Sequence, residues 1–71
     1  MWFSEFQEIR SGRYFDLQEH ATREAAEAYA VQSLIRLGED PTDARNAAGA
    51  AGYGCADTAV DGFGVRIFEK D

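Results

Sequence analysis

The sequence predicts an α+β fold in which a small antiparallel sheet packs on one main helix, with a second, short helix beside it. Three observations predict this fold. The middle of the chain reads as an amphipathic helix with both ends marked, runs of strand character lie on either side of it, and 71 residues provide a thin core for one domain over 1–71. The predicted order is ββααβ, with a further strand left open before the last one.

The first two runs are predicted to form a hairpin. Residues 1–10 and the aromatic-rich run 13–18 are joined by Ser11-Gly12, a connection of the kind that closes a hairpin. Pairing across it would place Phe6 beside Leu17. The first run also fits a helix, because its apolar residues recur at steps of four and three. The second run is too short for a helix, which favours the hairpin.

The main helix is predicted from Thr22, whose hydroxyl can cap the first turn, to Gly38, which supplies a left-handed stop. Its apolar residues form two stripes on nearly opposite sides. The first stripe comprises Ala26, Tyr29, Ala30, Leu34 and Leu37, and the second comprises Ala28, Val31 and Ile35. Because both sides are apolar, we expect a sheet to cover one and a second helix or a partner chain to cover the other.

A second helix is predicted to begin at Asp40, whose carboxylate can cap it, with Pro41 at the first helical position. The apolar stripe of this helix contains only alanines, namely Ala44, Ala47, Ala48 and Ala51. Such small residues allow it to lie close to the main helix, on the side of Val31 and Ile35. Alanine has little area to bury, and Gly49 costs roughly 1 kcal/mol against alanine, so we expect this helix to be the weaker one.

The run Phe63–Phe68 alternates apolar with other residues and is predicted to be a strand that joins the N-terminal hairpin. Asp61-Gly62 could close a second hairpin before it, with Asp57 opposite Arg66. Residues 55–60 are compatible with a strand, a helical turn or a loop.

The charge of the chain limits its partners. Thirteen acidic residues outnumber seven basic ones, for a net charge of -6, which opposes attraction to nucleic acid and anionic lipid and favours a basic protein surface. The single cysteine permits no internal disulfide. No run approaches the roughly 18 apolar residues of a membrane span, and the first residues lack the pattern of a secretion signal. We therefore expect a cytoplasmic protein that contacts neither membrane nor nucleic acid.

The sequence contains no constellation for catalysis or metal binding. His20 and Cys55 have no spacing that relates them as base and nucleophile, and neither has the further histidines or cysteines of a zinc site. Glu39, Asp40 and Asp43 lack the glycine turn and terminal glutamate of a calcium loop. The sequence therefore predicts a protein that is not an enzyme and that has no cofactor or metal.

The acidic residues are the remaining functional signal. They can serve only to keep a small domain in solution, or they can imitate phosphates and occupy a basic groove on a nucleic-acid enzyme. On the second interpretation, the predicted partner-binding residues are Glu24, Glu27, Glu39, Asp40 and Asp43, with Tyr53 as an aromatic anchor at the rim.

In size, charge and order of elements, the chain resembles the small phage-encoded inhibitors of bacterial defence, which include anti-CRISPR proteins. No motif carries this resemblance. It implies a stoichiometric inhibitor that binds a CRISPR effector subunit in the bacterial host cytoplasm and blocks engagement of DNA or guide, without turnover.

Two alternatives remain open. The segment ARNAAGAAGYGCADTAV resembles the helix-turn-helix of phage small terminase subunits, in which an alanine-rich helix ends in Ala-Gly-Tyr and Thr-Ala opens the next helix. The matching residues are Ala47, Ala48, Ala51, Gly52, Tyr53, Thr58 and Ala59. This resemblance implies DNA binding, but the would-be recognition segment contains Asp57 and Asp61 and no basic residue. The other alternative is a structural protein that forms a homodimer through Val31 and Ile35.

Overall fold

The computed structural model describes residues 1–52, 54–58 and 61–71, and it confirms the α+β fold. Its elements are β1 (Trp2–Glu8), β2 (Arg13–His20), α1 (Arg23–Arg36), α2 (Pro41–Ala51), β3 (Cys55–Asp57) and β4 (Phe63–Glu69). These four strands form a sheet in the order β2-β1-β4-β3, and every neighbouring pair is antiparallel. The fourth strand that the sequence left open is therefore present, as the three-residue β3.

The hairpin of β1 and β2 is confirmed, but its predicted register is wrong. Phe6 pairs with Phe15 and not with Leu17. Four residues, 9–12, connect the strands where a two-residue turn was predicted, and Gly12 supplies the positive φ of 75° that this turn requires. Between Ser4 and Phe6 the register shifts by one residue, so that β2 contains one more residue than β1 over this interval. The result is a β-bulge in β2.

The main helix has the predicted ends. The Thr22 hydroxyl accepts a hydrogen bond from the Ala25 amide at 3.1 Å. At the other end Gly38 has a φ of 100°, and the amide of Glu39 donates to the carbonyl of Leu34 at 3.0 Å. This Schellman arrangement satisfies carbonyl groups that the helix end would otherwise leave unpaired.

The second helix is also confirmed. Asp40 caps it through Oδ1, which accepts from the amides of Thr42 at 2.8 Å and Asp43 at 3.3 Å. All four alanines of the predicted stripe are buried. The helix contacts α1, β3 and β4, so its small residues face a core made by other elements. Neither α1 nor α2 has the length and apolar content that a bilayer-spanning helix requires.

The core lies between the helices and one face of the sheet. Its fully buried large side chains are Phe6, Val65 and Ile67 from the sheet and Leu34 from α1. Val31 and Ile35, predicted to meet a helix or a second copy, are half-buried and pack against this core. Successive side chains of a strand point to opposite faces of the sheet, so the residues between the buried ones lie on the face away from the helices. Among them is Arg66, which donates to Glu5.

The predicted register of the second hairpin is wrong as well. Asp57 pairs with Gly64, and Cys55 is the residue opposite Arg66. Five residues, 58–62, connect β3 and β4, and Thr58 closes the connection by donating from its amide to the carbonyl of Phe63 at 3.0 Å. Of the would-be recognition segment, Asp57 belongs to β3 and not to a helix, whereas residues 59 and 60 lie outside the described residues.

Candidate functional site

The five acidic residues predicted to bind a partner lie at two ends of the helical layer. Glu24 and Glu27 belong to the first turns of α1, whereas Glu39, Asp40 and Asp43 lie in the α1–α2 connection and the first turn of α2. Residues 24 and 36 are separated by about 18 Å at the α-helical rise per residue. The structure therefore divides the predicted surface into two groups and does not form one cluster.

Some of these carboxylates already have contacts within the chain. Asp40 is the cap of α2. Glu27 lies 3.6 Å from the Nε of Arg23 and close to Gly52, so it joins the start of α1 to the end of α2. Glu24 and Asp43 are exposed in the first helical turns, where a negative charge is favoured by the helix dipole.

The remaining two predicted residues have different surroundings. The carboxylate of Glu39 lies against Gly62, where a Cβ atom would meet it at 3.1 Å, so Glu39 joins the helix connection to the turn before β4. Tyr53, the predicted aromatic anchor, lies outside the described residues.

The structure adds a groove that the sequence did not indicate. It lies between β2 and α1 and has a volume of about 360 Å³. Its lining consists of Phe6, Phe15, Asp16, Tyr29, Ser33, Arg36 and Leu37. Apolar and aromatic surfaces with a few polar groups at the rim are typical of binding grooves of this size.

Asp16 is held in a defined direction at the rim of this groove. It lies in the β-bulge with a φ of 55°, a left-handed conformation that aspartate and asparagine adopt more readily than most residues. Its carboxylate accepts from the hydroxyl of Tyr29 at 2.5 Å and from the side-chain amide of Gln18 at 2.7 Å. The bulge thus directs the side chain of an edge-strand residue toward α1.

Tyr29 is the residue that links the groove to the helix. The hydrogen bond to Asp16, followed by burial and the negative charge of Asp16, raises the pKa of the Tyr29 hydroxyl above its ordinary value. The hydroxyl therefore remains protonated and continues to donate to Asp16 at neutral pH. The sequence placed Tyr29 only on the apolar stripe of α1 and missed this second role.

The groove has an aromatic wall and contains both a carboxylate and a guanidinium. Phe6 stacks on Phe15 with ring centroids 5.8 Å apart, and its centroid is 6.2 Å from that of Tyr29. The guanidinium of Arg36 is 3.5 Å from the Ser33 hydroxyl, and its charge opposes the rise in the pKa of Tyr29. The lining thus combines one acidic and one basic side chain with an aromatic surface.

A serine–histidine pair lies next to the groove. The hydroxyl of Ser4 and the Nε2 of His20 are 2.9 Å apart, and the His20 ring is 5.2 Å from the ring of Tyr29. Such a pair resembles a nucleophile with its base, but Ser4 is fully buried and a substrate would not reach its hydroxyl. We therefore interpret the contact as one that satisfies a buried polar group.

Within the described parts of the chain, no group of three histidine, cysteine or acidic residues is placed to hold a metal ion. Comparison of the chain with protein-family models, with curated proteins and with solved structures finds no match.

Proposed function

We propose that this protein is a non-enzymatic acidic binding protein that inhibits a nucleic-acid-processing complex by stoichiometric contact with a basic surface. The partner we propose is a CRISPR effector subunit in a bacterial cytoplasm, in line with the resemblance to phage-encoded inhibitors. The observation that supports the proposal is the exposure of Glu24, Asp40 and Asp43 on the first turns of two capped helices.

Carboxylates on rigid elements suit such a role for a physical reason. A surface that binds nucleic acid is basic and recognises regularly placed negative charges. Negative groups held at the ends of packed helices need little ordering on binding, and the net charge of -6 attracts a basic surface over about 8 Å at physiological salt. The attraction weakens as the salt concentration rises.

The first experiment is a pull-down from bacterial lysate with the tagged chain, eluted by a salt gradient, to identify the partner. The affinity of that partner is then measured with the double variant Glu24→Gln/Asp43→Asn. The matched control is Glu69→Gln/Asp71→Asn, which removes two exposed charges away from the helices. We expect the helix variant to bind about tenfold more weakly and with a smaller salt dependence, and the control to change affinity by less than about twofold.

Equal losses in the two variants would mean that only net charge matters. Unchanged affinity in the helix variant would show the acidic-surface mechanism to be wrong. Asp40→Asn adds a separate test, because asparagine caps a helix as well as aspartate does. It removes the charge of Asp40 while the helix remains capped, so any loss of affinity without a loss of stability reports on the charge.

A further inference from the structure

The groove between β2 and α1 combines features that suit the binding of a guanidinium group. Arginine side chains stack on aromatic rings and pair with carboxylates. Both partners are present here, with the rings of Phe15 and Tyr29 beside the carboxylate of Asp16. Leu37, which is 38% exposed and lines the same groove, offers an apolar surface to the methylene stem of such a side chain.

Asp16 is prepared for this contact before any partner arrives. Tyr29 and Gln18 each donate to one of its oxygens, and each oxygen retains capacity to accept another hydrogen bond. The bulge fixes the backbone at this residue. A carboxylate held in this way loses little freedom when it binds a cation, which favours affinity.

We propose that this groove binds an arginine side chain of the basic partner, with its guanidinium stacked beside Phe15 and Tyr29 and paired with Asp16. This inference rests on the proposed function, since it names the residue type through which the partner is held. The carboxylate of Asp16, in a chain with a net charge of -6, complements the charge of an arginine on a basic partner.

Arg36 also lines the groove, so an incoming guanidinium meets a like charge as well as the carboxylate of Asp16. The guanidinium of Arg36 is associated with the Ser33 hydroxyl, and its charge opposes the rise in the pKa of Tyr29. Asp16 and Arg36 therefore have opposite effects on the affinity for a cation.

The experiment is an NMR titration of the isotope-labelled chain with acetyl-Gly-Arg-Gly-amide. The control peptide carries citrulline, which has the shape of arginine without its charge. We expect amide shift changes confined to the groove residues, and binding of the citrulline peptide that is at least about fivefold weaker. Equal binding of the two peptides, or shift changes elsewhere on the chain, would overturn the proposal.

Two variants test the roles of the two charges. Asp16→Asn keeps a residue that tolerates the left-handed backbone, and we expect it to weaken binding of the arginine peptide about tenfold. Arg36→Gln removes the like charge from the groove, and we expect the affinity for the arginine peptide to stay the same or to rise. A larger loss for Arg36→Gln than for Asp16→Asn would identify an anion site and contradict the proposal. The citrulline comparison uses the unmodified chain and so stands even if a variant fails to fold.

The titration also separates this inference from the proposed function, because it needs no partner protein. If the groove binds arginine while Glu24→Gln/Asp43→Asn leaves the partner affinity unchanged, the arginine site is supported and the acidic-surface mechanism is contradicted. Loss of partner affinity in that variant, without arginine binding, would do the reverse.

Discussion

The two helices pack against the rest of the molecule in different ways. α1 contributes Leu34, which is fully buried, and Tyr29, which bonds to the sheet through Asp16. α2 contributes four buried alanines and no larger buried side chain among its residues. Because the area that an alanine removes from water is small, α2 depends on the close approach of its backbone to neighbouring elements.

This difference determines which substitutions each helix tolerates. A helix held by large side chains loses stability when volume is removed, since a cavity remains. A helix held by close approach loses stability when volume is added, because its neighbours must move. The two helices should therefore respond in opposite ways to changes of side-chain size, although both have well-formed caps.

The largest effect is expected for Leu34→Ala. Leu34 has no exposed surface, and its truncation should lower the free energy of unfolding by about 3 kcal/mol through lost burial and the cavity that remains. Leu37→Ala on the same stripe is the control, because Leu37 is 38% exposed and should cost about 1 kcal/mol or less. Urea unfolding monitored by circular dichroism measures both. Similar losses at the two positions would contradict the assigned packing.

A smaller loss is expected for Ala48→Leu, which tests the second helix in the opposite sense. Ala48 is 1% exposed, so the added carbons should force the helix from its neighbours and cost about 2 kcal/mol. The control is Ala50→Leu, at an exposed position of the same helix, where unfolding should change little. If the chain accepted leucine at residue 48 without loss, α2 would not be held by close approach.

The sequence was sufficient for the helix ends because the signals are local. The Thr22 hydroxyl, the Gly38 stop, and the Asp40 cap followed by Pro41 act within a few residues of themselves. The alanine stripe of α2 was recognisable for the same reason, from the spacing of small residues. None of these predictions required knowledge of which strand pairs with which.

The strand registers could not be obtained in this way. A register depends on the length of the connection, and both connections are longer than the two residues that Ser11-Gly12 and Asp61-Gly62 suggested. One signal of the bulge was present, because aspartate is depleted in strands and Asp16 lies inside the run RYFDLQ. A bulge is where such a residue can adopt a positive φ.

The groove could not be predicted from the sequence, because it depends both on the bulged register of β2 and on the position of α1 beside that strand. Asp16 and Tyr29 are thirteen residues apart, and they meet only because the bulge rotates one of them toward the helix. The predicted acidic residues were read from charge alone. Charge indicates which side chains are solvated, but it does not say that Asp40 is a cap or that Glu27 lies against Gly52.

The smallest effect is expected for Gly49→Ala, and it tests whether α2 is limited by its own helix propensity. Gly49 is exposed, and a Cβ atom placed there has no neighbour within 4 Å, so alanine should raise the free energy of unfolding by roughly 0.5–1 kcal/mol. The matched control is Gly52→Ala at the end of the same helix. There a Cβ atom would meet Oε1 of Glu27 at 2.6 Å, so the carboxylate must move and the gain should be smaller or absent. Equal gains at both positions would mean that the contact between Glu27 and the end of α2 contributes nothing to stability, and that α2 is weakened by its glycines alone.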